Sequence, residues 1–324
     1  MKKTFKVLLG AALLVTEVFA LALPILTTSV KADGHPIQAI THAGFGGGTD
    51  VTTRMMLLRT RRYLKQDMQL VNKKGGGGAA SMDYMMTLPA DGQHTLTWTT
   101  GHAVSMALGK TKVKLSDMQP LARGTDDPQL FVVNCKNDIK DAKKFVSAQK
   151  SKSLKYGTTH VGGIDDVSAI AFTKKGKLTD PTIVAYKGVA PIKTNLIKGD
   201  IDVGVLNLGE AVTEIENGTL CVSVVLASKR MDKLSNVPTA TELGIPVVLS
   251  TVRGFVTKKG VAADRKKQLE DAMIKAMEHK YFQSFLTDIG LDSSSVVGAD
   301  EWGKQMETML AEMTAQLKAL GYIK

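Results

Sequence analysis

The sequence predicts an α/β chain with mainly parallel, doubly wound sheets, of a size that suits two lobes. Three observations carry this. Short apolar strand patterns alternate with amphipathic helical patterns along nearly the whole length, the signature of βαβ units. Several of the strands run directly into glycine-rich turns that open helices, as in 41–54, 71–81 and 156–166. The chain has 324 residues and 44% hydrophobic content, enough to bury more than one compact core.

In chain order, Ile37 and Ala39 alternate as a short strand that ends in Thr41-His42-Ala43-Gly44-Phe45-Gly46-Gly47-Gly48-Thr49-Asp50. Thr49 and Asp50 are N-cap candidates for a helix over 50–64 whose basic end suits the helix dipole. Such a glycine turn leaves N–H groups unpaired at the positive end of a helix, a ready anion site. A strand at 68–71, four glycines at Gly75–Gly78 and a helix at 79–88 repeat the pattern. A third strand, 94–98, leads to Thr99, Thr100 and His102, beyond the carboxyl end of a strand, where doubly wound sheets present ligand contacts. Strands at 130–134 and 153–156 flank a lysine-rich helix, and the second of them runs into a Gly/Thr/His turn ending at Asp165-Asp166. Further strands at 183–186, 201–206, 220–227 and 251–256 follow, and three helices close the chain over 263–279, 281–289 and 299–320. Trp302, Met306, Met309, Met313, Leu317 and Leu320 form one stripe of the last helix, which reads as core.

Residues 1–32 read as an export signal: Lys2, Lys3 and Lys6 precede an apolar run, and Val30-Lys31-Ala32 offers small residues for cleavage before Asp33. A retained anchor is the competing reading, opposed by Glu17 and Pro24 within the run. Cleavage would remove Lys2, Lys3, Lys6, Lys31 and Glu17 and lower the formal charge from +11 to +8. A basic surface is compatible with anionic solutes. Nucleic acid is the weakest partner, because aromatics are 5% and the basic residues follow helices without aromatic interleaving. Cys135 and Cys221 are the only cysteines. Export favours a bridge between them, but sequence does not show that their Cα atoms lie within bridging range, and both states stay open.

The enzyme signatures are poor. The glycine turn has Thr49 where a dinucleotide fingerprint needs its third glycine, and no acidic residue follows at the required distance. Phosphate-loop, nucleophile-elbow and zinc His-Glu patterns are lacking, so neither cofactor nor metal is expected. His42, His102 and His160 lie beside proposed ligand loops, but no nucleophile pairs with them, and a structural role is favoured for each. Asp165 and Asp166 read as helix caps before an acid–base pair. What remains is a set of Gly/Thr/Asn junctions that supply neutral donors, a pattern that suits a binding protein.

In this order, several segments resemble the extracytoplasmic solute-binding proteins of tripartite tricarboxylate transporters, the Bug family. They are Gly46-Gly47-Gly48-Thr49-Asp50 with Arg54, Val71-Asn72-Lys73 with its glycines, Ala90-Asp91-Gly92, and Tyr156-Gly157-Thr158. Tyr186-Lys187-Gly188 with Pro191, Gly199-Asp200-Ile201-Asp202, Val237-Pro238-Thr239 and Glu242-Leu243-Gly244 complete the series. The resemblance implies a two-lobed periplasmic-binding-protein fold, type II-like, with 33–125 plus 238–324 as one lobe and 126–237 as the other. It implies a non-enzymatic periplasmic monomer that closes over a di- or tricarboxylate or related organic acid and docks onto a large and a small membrane subunit. Carried over, the ligand residues are Gly44, Phe45, Gly46, Gly47, Gly48, Thr49 and Asp50 of the first loop, and Thr158, Thr159, Gly162 and Asp166 of the second. Thr99, Thr100, Tyr186, Asn207 and Glu210 would also line the cleft. Phe45 replaces the usual proline and Asp166 a usual histidine, which leaves the solute open within the class, with Phe45 at the mouth of the site expected to favour a ligand with an apolar part over plain citrate. A receptor presenting carboxylate to a membrane sensor kinase is the alternative, and an exported hydrolase using His102 or His160 a weaker one.

Overall fold

The computed structural model describes residues 35–159 and 161–323, so the export segment expected over 1–32 lies outside the described residues, as does His160. The first part of the chain gives β1 (Ile37–Thr41), α1 (Gly48–Leu64), β2 (Met68–Asn72), α2 (Ala79–Thr87), β3 (His94–Thr99), α3 (Thr100–Ala107) and β4 (Met118–Pro128). A middle part follows: β5 (Leu130–Asn134), α4 (Ala142–Ser151), β6 (Lys155–Thr158), α5 (Ile164–Lys175), β7 (Thr182–Ala185), α6 (Val189–Lys198), β8 (Val203–Leu206), α7 (Leu208–Glu216) and β9 (Leu220–Val225). The chain then returns through β10 (Ser250–Lys258), α8 (Ala263–Glu278), α9 (Lys280–Asp288), β11 (Val297–Gly298) and α10 (Ala299–Ala319). Among the described residues no helix is long and apolar enough to cross a membrane.

The strands form two sheets, ordered β11-β4-β10-β3-β1-β2 and β7-β6-β8-β5-β9. The expected α/β class with helices between strands holds. The expectation of mainly parallel sheets does not: both are mixed. β1 pairs in parallel with β2 and β3, and β6 with β7 and β8, each through a helical crossover. The antiparallel pairs all involve the segments that carry the chain between sheets. β10 lies antiparallel to both β3 and β4, β11 to β4, and β5 to both β8 and β9. β4 passes into β5 with only Gln129 between them, so the first sheet's longest strand leads straight into the second sheet.

β4 has no counterpart among the predicted elements. Its sequence, Met118-Gln119-Pro120-Leu121-Ala122-Arg123-Gly124-Thr125-Asp126-Asp127-Pro128, carries two prolines and three charges and shows no alternation. Pro120 falls at a register shift in the ladder with β10, between Phe255 and Val256, the kind of irregularity at which sheets accept proline.

The core explains why α10 is fixed. Trp302, Met306, Met309, Met313 and Leu317 are buried, as the stripe predicts, and join one apolar cluster with Trp98 of β3 and Phe131, Tyr156 and Phe172 of the second sheet's layer. Trp302 meets Trp98 edge-on at 5.8 Å. It fits only because residue 254 is glycine: a Cβ there would lie 2.3 Å from the Trp302 ring. In the second sheet, Cys135 and Cys221 form a disulfide, their Cα atoms 5.0 Å apart. The bridge ties the end of β5 to β9, its antiparallel neighbour.

Candidate functional site

The first loop is built by its own backbone. Gly47 N–H donates to the Gly44 carbonyl at 3.2 Å, and Gly46 N–H to Asp50 Oδ2 at 3.0 Å. Asp50 also receives Arg54, Nε to Oδ2 at 2.9 Å and Nη2 to Oδ1 at 3.2 Å. Its carboxylate is therefore a clamp on the loop, and the helix starts earlier than Thr49 and Asp50 as caps would have it: Gly47 is the N-cap. The first-turn amides of α1 have no intrahelical acceptor and carry the positive end of its dipole. Phe45 stands at the loop tip, 85% exposed, with the Arg54 guanidinium 5.1 Å from its ring centre.

These amides face a cavity of about 340 Å³. Gly46, Gly47, Gly48, Val51 and Thr52 form one wall; Val189, Ala190, Lys193, Gly209 and Glu210 form the opposite one. Phe285 of α9 and Ile289 just beyond its end add apolar surface, while Arg253 and Asp127 come from the crossing strands. Arg253 is only 3% exposed and holds the two walls together. Its Nε donates to Thr49 Oγ1 at 3.2 Å, Nη1 to Asp127 Oδ2 at 3.1 Å, and Nη2 to Asn207 Oδ1 at 3.2 Å. Asn207 caps α7 and in turn donates to the Asp127 and Pro128 carbonyls at 2.9 and 3.0 Å. Thus one guanidinium links α1, β4 and α7.

Two carboxyl groups here are shifted by burial. Burial pushes the Asp127 carboxyl up to about 7 against the pull of Arg253, and Glu210 and Asp126 push it further. Burial likewise raises Glu210, with Arg253 and the Asn207 amide opposing it. Lys193 is paired with Glu214 at 2.8 Å. Such perturbed groups converging in a cleft mark a functional site. Among the described residues no group of three His, Cys, Asp or Glu could hold a metal ion.

The structure places the expected site residues in distinct roles. Gly46, Gly47, Gly48 and Glu210 line the cavity, and Thr49 and Asn207 join it through Arg253. Gly44 lies on the exposed start of the loop, a Cβ's distance of 3.8 Å from Lys74 Nζ. Thr99 is the N-cap of α3, and its N–H donates to His102 Nδ1 at 3.0 Å. Thr100 Oγ1 bridges the Ser250 carbonyl and the Val252 amide, stitching α3 to β10. In the second loop Thr159 donates twice to Asp165 Oδ2, and Gly162 N–H donates to Asp166 Oδ2 at 2.6 Å. Both acids fold back over their loop as Asp50 does. Thr158 ends β6 with a buried hydroxyl that has no hydrogen-bond partner among the described residues, and Tyr186 packs beside Gly157. None of these second-loop residues lines the cavity just described.

His102 is fully buried, which lowers its basicity well below the usual value, with His42 adding to the effect. Its Nδ1 accepts the Thr99 amide, so the ring proton sits on Nε2 and points to Ser81 Oγ at 3.0 Å. A ring in that tautomer cannot take the Ser81 proton, so the Ser81–His102 contact is not a nucleophile–base pair.

Sequence reasoning missed Asp127, Lys193, Arg253, Phe285 and Ile289. Arg253 left one signal: a lone arginine inside the apolar strand Thr251-Val252-Arg253-Gly254-Phe255-Val256 must find partners if the strand is buried.

Comparison with known proteins agrees with this architecture. The family model described as the tripartite tricarboxylate transporter family receptor, TctC, matches residues 52–321. The protein BugT of Bordetella pertussis is 26% identical over 233 residues, 68% of this chain and 70% of that protein. A UPF0065 protein of Agrobacterium vitis is 25% identical over 248 residues, 75% and 71% of the two chains. Among solved structures, MatC of Rhodopseudomonas palustris with bound malate superposes with a TM-score of 0.77 at 22% identity, covering 87% of this chain and 98% of that one. A second R. palustris protein, solved with adipate, gives 0.80 at 20% identity, covering 90% and 99%. At these identities the solved structures speak to the fold alone.

Proposed function

Because the chain belongs to the TctC family of tripartite tricarboxylate transporter receptors, a family of periplasmic solute-binding proteins, we propose that it captures a small carboxylate for a tripartite secondary transporter. The observation that carries this reading is the meeting of the α1 N-terminus with the Arg253 guanidinium in one cavity. Backbone amides at a helix start and a planar guanidinium are both suited to a carboxylate, the second with bidentate geometry. Arg253 commits three N–H groups to Thr49, Asp127 and Asn207, and a guanidinium carries five. The malate and adipate held by two structural neighbours are of the same chemical class.

In this reading residues 33–125 plus 238–324 form one lobe and 126–237 the other, and they close over the solute as a monomer. Residues 1–32 direct export and are removed, leaving the protein in the periplasm to dock onto a large and a small membrane subunit. The first and second loops and the residues at Thr99, Thr100, Tyr186, Asn207 and Glu210 contribute to the cleft as it closes.

The test is thermal melting of the purified protein against a panel of mono-, di- and tricarboxylates. A ligand at 100 times its dissociation constant adds about 2.7 kcal/mol, a rise of several degrees. A panel that leaves the melting point unmoved overturns the proposal.

A further inference from the structure

The cavity holds two carboxylates for one shared guanidinium, and this imbalance identifies the ligand more closely. Asp127 and Glu210 both line it together with Arg253. Asp127 is 3% exposed and gives Oδ2 to Arg253, while its buried Oδ1 has no hydrogen-bond partner. Glu210 gives Oε2 to the Asn207 amide at 3.0 Å. Its Oε1 comes within 3.4 Å of where a side chain on Gly48 would begin, at the wall formed by the α1 N-terminus. Lys193, the other cation of the lining, is committed to Glu214. A buried acceptor without a partner is costly, and a carboxylate most of all, so it is found where something else supplies the donor.

We propose that the solute is an amino-carboxylate, bound as a zwitterion, whose carboxylate meets the α1 N-terminus and Arg253 while its ammonium group meets Asp127 Oδ1 and Glu210. An ammonium carries three N–H donors and the missing positive charge, so it satisfies both acids at once. A plain dicarboxylate would bring a second negative charge against them. Val51, Val189, Phe285 and Ile289 leave apolar wall for a short carbon chain between the two charged ends. This inference rests on the carboxylate-capture reading above and narrows its substrate class.

Protonation is part of the same geometry. Burial holds the Asp127 carboxyl near 7, Arg253 of β10 draws it down, and Glu210 of α7 and Asp126 of its own strand push it up. Glu210 in turn faces Arg253, Asp165 of α5 and Lys193 of α6. Below neutrality Asp127 gains a proton and loses its attraction for an ammonium group, so an amino acid binds better at pH 8 than at pH 6.

The experiment is calorimetric titration of the purified protein with matched pairs: aspartate against succinate, glutamate against glutarate, and alanine against propionate. In the pair that fits the cavity, the amino member is expected to bind tighter by about tenfold or more at pH 8, with the margin shrinking at pH 6. Asp127→Asn and Glu210→Gln, each checked for a cooperative melt, are expected to bring the ratio within that pair toward one. Equal or tighter binding of the plain acid by the wild-type protein at pH 8 overturns the inference and leaves carboxylate capture standing. Failure of every member of every pair, together with the wider carboxylate panel, overturns both. The wild-type pairs and their pH dependence decide the matter even where a variant does not fold.

Discussion

Gly48 shows how closely the backbone of α1 approaches the polar cluster. A Cβ at that position would lie 2.7 Å from Arg253 Nη2 and 3.4 Å from Glu210 Oε1. The guanidinium cannot step aside without giving up Thr49, Asp127 or Asn207, which are its buried partners. The backbone at Gly48 is not left-handed, so alanine meets no conformational penalty there and even gains helix propensity. Gly48→Ala is therefore expected to weaken ligand binding by about tenfold and to lower stability by about 1–3 kcal/mol, the overpacking outweighing the gain in helix propensity. Titration and denaturant melts of the same sample check both halves. The glycines of this loop were legible in the sequence because bare backbone before a helix has few other uses. Arg253 and Asp127 were not, since a charge in a strand pattern reads as an outward-facing residue until its partners are known. Those partners lie far along the chain: Asp127 from Arg253 is separated by 126 positions.

At the level of elements, most helices and strands follow from periodicity and from the glycine junctions, and the last helix was read with its buried face. β4 was invisible because its prolines, glycine and acids break every strand pattern. Tertiary pairing supplies what its local sequence lacks: β10 on one side along its length and β11 at one point on the other. The register shifts in the β4–β10 ladder accommodate Pro120 and leave Asp127 opposite Thr251, close to Arg253. The disulfide acts on another pair of strands. It closes a separation of 86 residues between β5 and β9. Replacing both cysteines by serine is expected to cost about 2–4 kcal/mol, read as a lower denaturation midpoint that reducing agent reproduces in the native chain. The cost falls on the second sheet, so ligand affinity of the folded variant should change much less than its stability.

For the whole molecule, buried carboxyl groups and a buried histidine give stability opposite slopes with pH. The Asp127 carboxyl titrates near 7 in the fold against an ordinary 3.8, so the folded state holds its proton more tightly. Its contribution is fully present below about pH 4 and is lost as pH rises through 7. Glu210 shifts in the same direction. His102 is held neutral below its ordinary 6.5, so its contribution is present above 6.5 and is lost as pH falls. Denaturation midpoints measured from pH 5 to pH 8 should therefore show a falling limb between 6 and 8 that Asp127→Asn flattens. On the acid side His102 opposes the gain from Asp127, and the curve bends over. Neither slope was legible from composition, because a net charge says nothing of which groups are buried.

The position of β10 has a further consequence for the order in which the chain becomes structured. β10 is the inner strand that joins β3 to β4, yet it follows β3 by some 150 residues. Until it arrives, β3 and β4 have no ladder to each other, and the first sheet exists only as the β2-β1-β3 ribbon. The second sheet, by contrast, draws all its strands from one uninterrupted stretch, β5 to β9. Closing a longer loop costs more chain entropy before any contact rewards it. The strand that carries Arg253 thus closes a long loop within the first sheet, and the polar junction it builds bears that entropic cost.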